Sequence, residues 1–388
     1  MVNDKSKYFV FNGKKSSDFG VWASGSYVLD SPMKRYEQID VPGRNGTLII
    51  EDGSYENVNL EFKDCWIPED FPNNYSALKN FLYRQKGYQR LELSWLPDEY
   101  RLAAFMGDIE PTITSWNGKG HFDMSFNCKP QRFLKSGEDP IYIIPLYHGE
   151  STIRLTDKFQ KTGMKITLLK MPESGSVSFS ISYGDDDTET GTYSIGTATE
   201  VGWTYTLESS LPESDWWRII ATLGQDDDPD DFMYMLECNF SWGTLSGQTE
   251  RIMALCGRSI DIENPTGFST SPYIEVNGAI FPIQYITNYD EDGNEEEYWN
   301  IICSDYSEVT TSATIDCENE YFFYDDNGKK KNITGHLTIQ QYSEETQAYV
   351  PSMTFPKFGS HKINIYTYLL NATFEDVFVK IYPRWFTI

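Results

Sequence analysis

The chain has 388 residues, 15% of them aromatic and 39% hydrophobic, so it is expected to fold into two or three domains, each with its own core. Its 58 acidic residues outnumber 32 basic ones, for a net charge of −26. Sequence-specific nucleic-acid binding needs a basic patch, and an anionic membrane repels acidic protein, so neither partner is expected. Residues 1–135 carry 17 Lys and Arg against 18 Asp and Glu, whereas residues 136–388 carry 15 against 40. This change predicts a domain boundary near residue 135.

The first elements are predicted to be strands. Residues 8–12 and 19–22 have strand-like composition around a polar turn, and residues 36–41 and 47–50 read as a hairpin. Asn45 and Gly46, in the connecting loop, both tolerate positive φ, as a tight hairpin turn requires.

A strand, a helix and three further strands are predicted next. Apolar residues alternate with polar ones from residue 58 to 62, which indicates a strand with one buried face. Residues 73–86 have helical spacing of apolar side chains, with Pro72 near the start and Gly87 after the end. Strands are predicted at 91–95, 100–106 and 122–128, and the last of these alternates almost perfectly. The first third is therefore expected to be a β-sheet packed with one helix.

Beyond a polar linker at 135–139, short strand-length runs are separated by Gly, Asp, Asn and Pro. Such spacing favours β-sandwiches and a mostly-β chain. The predicted strands are 165–169, 176–183, 203–207, 217–223, 232–240, 273–276, 298–302, 313–317, 336–341, 362–369 and 376–382.

Several motifs occur in a fixed order along the chain. They are FNGKKSSDFGVW at 11–22, VPGRNG at 41–46, KGYQRLE at 86–92, PDEYRLA at 97–103, FDMSFNCKPQRFLKSGE at 122–138, ENPTGF at 263–268 and PRWF at 383–386. In these motifs and their order, the sequence resembles the distal tail protein of long-tailed, non-contractile bacteriophages (siphophages). The matches in the first third are specific, and those near the end are shorter.

The resemblance implies a ring-forming domain at 1–135, followed by a galectin-like β-sandwich. The NPT-F motif of that sandwich comes later in the chain than the resemblance implies. We therefore interpret 140–145 and 261–388 as the sandwich and 146–260 as an inserted β-rich module. One enlarged sandwich is the alternative.

The resemblance further implies a structural protein of the virion tail tip, made in the cytoplasm of the bacterial host. Six copies would form a ring between the tail tube protein and the tail-associated hub protein. DNA would pass through the ring, and the outer domains would contact baseplate or receptor-binding proteins and support host adsorption.

Four residues are candidate contacts between subunits of the ring: Arg44, Asn45, Lys129 and Arg132. A guanidinium held between two glycines can reach a carboxylate on a neighbouring chain. The alternatives are an exposed hairpin tip for the first two residues and a rigid exit strand for the other two.

Aromatic residues are dense in the predicted module, and sugars stack on exposed aromatic rings. The candidate saccharide-binding residues are Trp203, Tyr205, Trp216, Trp217 and Trp242. The alternative is burial in a sandwich core, although neighbours on a strand point to opposite faces, so at least one of Trp216 and Trp217 is expected to be partly exposed or at a turn. A carbohydrate-binding adhesin that recognises host cell-wall saccharide is the alternative function.

Catalytic and metal-binding patterns are missing from the sequence. Its four histidines belong to no HExxH motif, its six cysteines form no CxxC pair, and it has no nucleophile elbow or phosphate-binding loop. The stretch from Asp290 begins like a calcium loop, but Glu295 stands where glycine is required. We expect no enzyme activity, no cofactor and no metal. Because residues 1–7 are polar and no apolar run follows, neither a signal peptide nor a membrane span is expected.

Overall fold

The computed structural model describes residues 6–23, 31–107, 109–115, 118–147, 151–155, 159–185, 188–207, 214–241, 249–278, 281–303, 312–326, 329–343, 345–369 and 377–388. These residues lie mostly in β-strands, with one α-helix among them, so the mostly-β prediction is confirmed. They form two compact units: residues 1–137 with 385–388, and residues 138–384.

The first unit contains one α-helix and most of the strands of the predicted N-terminal domain. In chain order these elements are β1 (Phe9–Phe11), β2 (Lys14–Lys15), β3 (Lys34–Asp40), β4 (Thr47–Tyr55), β5 (Val58–Ile67), α1 (Phe71–Arg84), β6 (Gln89–Leu93), β7 (Leu96–Phe105), β8 (Glu110–Ser115) and β9 (Lys119–Leu134).

Strand β9 organises the main sheet of this unit. It is 16 residues long and pairs with β7 and β8, and also with β5, in antiparallel register. The sheet continues from β7 through β6 and β1 to β2. The alternation along β9 buries Phe126 and Cys128 completely, and α1 adds Leu78 and Leu82 to the same core.

The strand predicted at 19–22 is wrong. Residues Ser16–Phe19 form a 3₁₀-helix, and Trp22 makes an isolated bridge with Trp66. The buried Ser16 hydroxyl donates a hydrogen bond to the Val21 carbonyl and accepts one from the Phe9 amide, which closes the chain into a turn.

The second unit consists of strands with short connections. In chain order they are β10 (Ile141–Ile144), β11 (Leu146–Tyr147), β12 (Thr152–Leu155), β13 (Phe159–Lys170), β14 (Val177–Asp185), β15 (Thr188–Ala198), β16 (Thr204–Thr206), β17 (Trp216–Thr222), β18 (Met233–Ser241), β19 (Thr249–Cys256), β20 (Ser259–Glu263), β21 (Tyr273–Asn277), β22 (Ile283–Tyr289), β23 (Glu295–Cys303), β24 (Ser312–Asp316), β25 (Tyr321–Asp326), β26 (Lys329–Asn332), β27 (Leu337–Ser343), β28 (Ala348–Pro351), β29 (Lys362–Leu369) and β30 (Phe378–Tyr382). The last strand, β31 (Phe386–Thr387), belongs to the first unit, where it pairs with β9.

Three sheets make up the second unit. A ten-stranded sheet has the order β16-β13-β18-β19-β10-β30-β21-β24-β25-β26, a seven-stranded sheet the order β11-β29-β22-β23-β27-β28 with β20 beside β29, and a four-stranded sheet the order β12-β17-β14-β15. The four-stranded sheet shares a hydrophobic core with β13, β18 and β19.

Strand β10 joins the two halves of the ten-stranded sheet. It pairs in parallel with β19 and antiparallel with β30. Tyr142 and Ile144 face the core shared with the four-stranded sheet, while Ile143 points the other way and is also fully buried. One continuous sheet therefore contains strands of the predicted module and of the predicted sandwich. The boundaries at residues 146 and 260 stay a prediction.

Candidate assembly surface

The clearest exposed feature of the first unit is the hairpin of β3 and β4, which we call the arm. These two strands form a sheet of their own, connected by residues 41–46, in which Gly43 and Gly46 adopt positive φ. Every residue of β3 is exposed, as are the first seven residues of β4. The hairpin predicted from Asn45 and Gly46 is present, and β4 extends five residues beyond the predicted strand end.

One face of the arm, which we call its apolar face, is mostly aliphatic, although it also carries Glu37. Ile39 lies opposite Leu48, and Glu37 opposite Ile50, so these side chains share a face. Ile39, Leu48 and Ile50 are 37%, 40% and 47% exposed. An isolated two-stranded hairpin is marginally stable, and exposed apolar strips mark interaction surfaces. The geometry therefore favours a partner on this face.

The opposite face of the arm is mixed. Lys34 and Glu51 form an ion pair of 3.1 Å there, and Gln38 lies opposite Ile49. Ile49 and Tyr36 on this face are 56% and 49% exposed. Both members of that ion pair are more than half exposed, so it contributes little to stability.

The four candidate subunit contacts lie in two places. Arg44 and Asn45 are exposed at the tip of the arm. Lys129 and Arg132 are half-buried on β9, where the Lys129 ammonium lies 5.8 Å from the Tyr88 ring centre and Arg132 pairs with Glu99 at 3.5 Å. Contacts within the chain therefore already engage the β9 pair, and all four roles stay predictions. The apolar face of the arm was missed, although the run TLII at 47–50 beside an alternating strand could have indicated it.

Both neighbouring tryptophans of the predicted sugar site are buried. Trp216 is 4% exposed and Trp217 is 2% exposed, and both lie within β17, so the expectation that at least one would be partly exposed or at a turn is wrong. Strand β17 lies between β12 and β14, and Trp217 enters the core. Trp216 points to the other face, where the guanidinium groups of Arg154 and Arg218 lie 5.0 and 5.4 Å from its ring.

Trp203 and Tyr205 are half-buried at the edge of the same sandwich. The Trp203 ring stacks on Phe179 at 5.6 Å and lies 6.4 Å from the Tyr205 ring. The Tyr205 hydroxyl lies 3.3 Å from that of Tyr193 on β15, so these rings bridge the edges of the two sheets. Trp242 lies outside the described residues. Saccharide binding by this group stays a prediction.

The acidic stretch from Asp290 forms the turn between β22 and β23. The Asp290 carboxylate accepts hydrogen bonds from the Asn294 side chain and from the backbone amides of Asn294 and Asp292. The bond from the Asn294 side chain, followed by those from the backbone, lowers the pKa of Asp290. Within the described ranges, no three His, Cys, Asp or Glu side chains converge as metal ligands.

Two further observations concern cysteines and helices. Five cysteines are free and buried, namely Cys65, Cys128, Cys238, Cys256 and Cys317, and Cys303 is half-buried. No helix in the described part of the chain is long and apolar enough to cross a bilayer.

No family model and no curated protein matches the chain. Among solved structures, the Dit protein of phage SPP1, described as a paradigm of the hub adsorption apparatus in phages that infect Gram-positive bacteria, has a TM-score of 0.42 and 8% identity over 93% of this chain and 98% of its own. Two structures of the phage P2 baseplate in its activated conformation, with Ca and with Sr, each have a TM-score of 0.38 over 97% of both chains, at 13% and 11% identity. At such low scores and identities, the likeness transfers no residue role to this chain.

Proposed function

We propose that the protein is a structural component of a siphophage tail tip and that residues 1–135 build a hexameric ring. The ring joins the tail tube protein to the tail-associated hub protein and surrounds the path of the DNA. The outward parts meet baseplate or receptor-binding proteins and support adsorption. The ordered motifs of the first third support this proposal. The main structural observation in its favour is the exposed apolar face of the arm.

The arm suits a contact that repeats around a ring. Its apolar face lacks cover among the described residues, and a second copy of the chain can cover it. A heterologous contact of this kind leaves no free surface once the ring closes. Arg44 is exposed at the tip, and we propose that it pairs with a carboxylate of the neighbouring copy.

The distribution of charge supports the same arrangement. Residues 1–135 have 17 basic and 18 acidic residues, a net charge of −1, so six copies can approach without strong mutual repulsion. Residues 136–388 have 15 basic and 40 acidic residues, a net charge of −25. That surplus favours solubility and keeps neighbouring outer units apart.

We further propose that the protein has no enzymatic role. Burial raises the pKa of Cys128 and of Cys238 to about 12, so both are thiols rather than nucleophilic thiolates at neutral pH. Burial also raises the pKa of Cys65, Cys256 and Cys317.

Light scattering on the full chain tests the ring. We expect a species of six chains for the protein alone or with tail tube protein. Both samples are needed because the ring of some members of the family closes only during assembly. A strictly monomeric chain at high concentration in both samples contradicts the proposal.

A carbohydrate-binding adhesin is the second candidate function. At the predicted site, the half-buried rings of Trp203 and Tyr205 favour it, whereas the buried Trp216 and Trp217 do not. Binding of the full chain to host cell walls should weaken in Trp203→Ala if this edge binds the saccharide. Equal binding by the variant and the unmodified chain would exclude the site.

A further inference from the structure

Five tyrosines form a continuous row on one face of the seven-stranded sheet. In order of ring contact, the tyrosine row consists of Tyr366 (β29), Tyr285 (β22), Tyr349 (β28), Tyr342 (β27) and Tyr298 (β23). Successive ring centres are 6.0, 6.0, 5.6 and 5.4 Å apart, and each pair meets edge to face. Intervening residues such as Ile286 and Ile365 are buried on the opposite face. The row therefore lies on the outer face, where Tyr349 is 37% exposed.

An amide lies in the middle of this face. Asn300 pairs across the strands with Tyr285 on one side and with Gln340 on the other. Its Nδ2 donates a hydrogen bond to the Gln340 Oε1 at 3.0 Å. Asn300 is 6% exposed, and its Oδ1 has no hydrogen-bond partner among the described residues. A buried acceptor without a donor is unfavourable, so this oxygen favours a ligand that brings a hydroxyl or an amide.

The centre of the face is uncharged. The side chains that point outward beside the tyrosines are Thr287, Asn300, Gln340 and Asn364. Charged groups lie around it: Glu295 accepts a hydrogen bond from Tyr298, Asp261 accepts one from Asn364 at 2.7 Å, and Arg258 and Asp230 lie beside Tyr366. The surrounding residues 136–388 carry 40 acidic against 15 basic residues, and they repel an anionic polymer. The electrostatics therefore disfavour an anionic ligand, and the amides and hydroxyls at the centre of the face suit a neutral one.

We infer that the tyrosine row binds an uncharged saccharide chain. Neutral sugars offer C–H groups to aromatic rings, and their hydroxyls can bond amides and tyrosyl hydroxyls. The Tyr285 and Tyr349 rings lie 6.0 Å apart although two strands separate β22 from β28, so the five rings form a compact cluster over this face. A hydroxyl of the saccharide donates to the Asn300 Oδ1 once the rings above it shift. The site acts whether or not the chain assembles into a ring.

Affinity electrophoresis of the full chain tests this inference. Native gels contain galactan, dextran or mannan, with polygalacturonate as the anionic comparison. We expect at least one neutral polymer to slow the protein and polygalacturonate to have no effect. Tyr349→Ala and Tyr342→Ala should each weaken the binding at least tenfold, and Tyr349→Phe should retain most of it.

One variant outside the row serves as a control. Tyr193→Ala removes a tyrosine that is 41% exposed on another sheet, and it should bind like the unmodified chain. Trp203→Ala, the variant that tests the second candidate function, is measured in the same gels. The inference is overturned if none of the three neutral polymers slows the protein, if both row variants bind normally, or if binding is lost in Trp203→Ala instead. Retention of a protein partner by the row without any saccharide binding would also overturn it.

Discussion

Replacing Ile39 by Asp tests whether the apolar face of the arm holds neighbouring copies together. Ile39 is 37% exposed and lies opposite Leu48 at the centre of that face. Gln38→Asp is the matched control, because it adds the same charge on the same strand but on the opposite face.

The size of the effect follows from the exposed area. Full burial of an isoleucine side chain contributes about 1.5–3 kcal/mol, so the 37% still exposed can contribute about 0.6–1.1 kcal/mol on contact. A carboxylate in its place also loses its hydration without a partner, at a cost of about 1–3 kcal/mol or more. Each contact should weaken by about 2–4 kcal/mol, which is on the order of 30- to 700-fold.

Mass photometry over a concentration series measures this change. We expect Ile39→Asp to shift the assembly midpoint to much higher concentration while Gln38→Asp stays near the unmodified chain. Melting temperatures of both variants should agree closely, because both positions are exposed. Normal assembly of Ile39→Asp, or equal losses in the two variants, would refute a contact through this face.

Three further predictions concern the two units. Phe126→Ala removes a fully buried ring that contacts Phe9, Phe11 and Phe62. It should lower the free energy of unfolding of the first unit, measured in urea, by about 3–5 kcal/mol. An unchanged midpoint of urea unfolding would contradict this core. Gly184→Ala would bring a Cβ to 2.1 Å from the Thr188 carbonyl oxygen and 2.5 Å from the Trp216 ring, so its melting temperature should fall, whereas Gly335→Ala, in open space, should not change it. Burial raises the pKa of Glu92, but hydrogen bonds from Lys135 and Arg90 outweigh this effect and lower it overall. Glu92 therefore contributes stability at neutral pH that is lost as the pH falls through its lowered pKa. The melting temperature of Glu92→Gln should consequently fall less on acidification than that of the unmodified chain. An equal fall in both proteins would contradict the assignment.

Local patterns in the sequence predict most of the first unit. The alternation at 58–62 and 122–128 lies within β5 and β9, and the helical spacing at 73–86 corresponds to α1 at Phe71–Arg84. Apolar residues recur every two positions in these strands and about every 3.6 in the helix, because each element buries a single face. The predicted strand at 19–22 failed because the Ser16 hydroxyl replaces a neighbouring strand as the local hydrogen-bond partner.

Contacts between distant residues could not be predicted in the same way. The pairing of β10 with β19 connects residues more than 100 positions apart, and nothing in either strand specifies the other. Trp216 is covered by Arg154 and Arg218, although its position beside Trp217 indicated exposure. Long cationic side chains can cover an aromatic ring, and an alternation pattern does not reveal such cover.

Negative-stain electron microscopy of the full chain, alone and mixed with tail tube protein, tests the ring most directly. The proposal predicts class averages of closed rings with sixfold symmetry in at least one of the two samples. Single particles without rotational symmetry in both samples, or rings of another order, would contradict it.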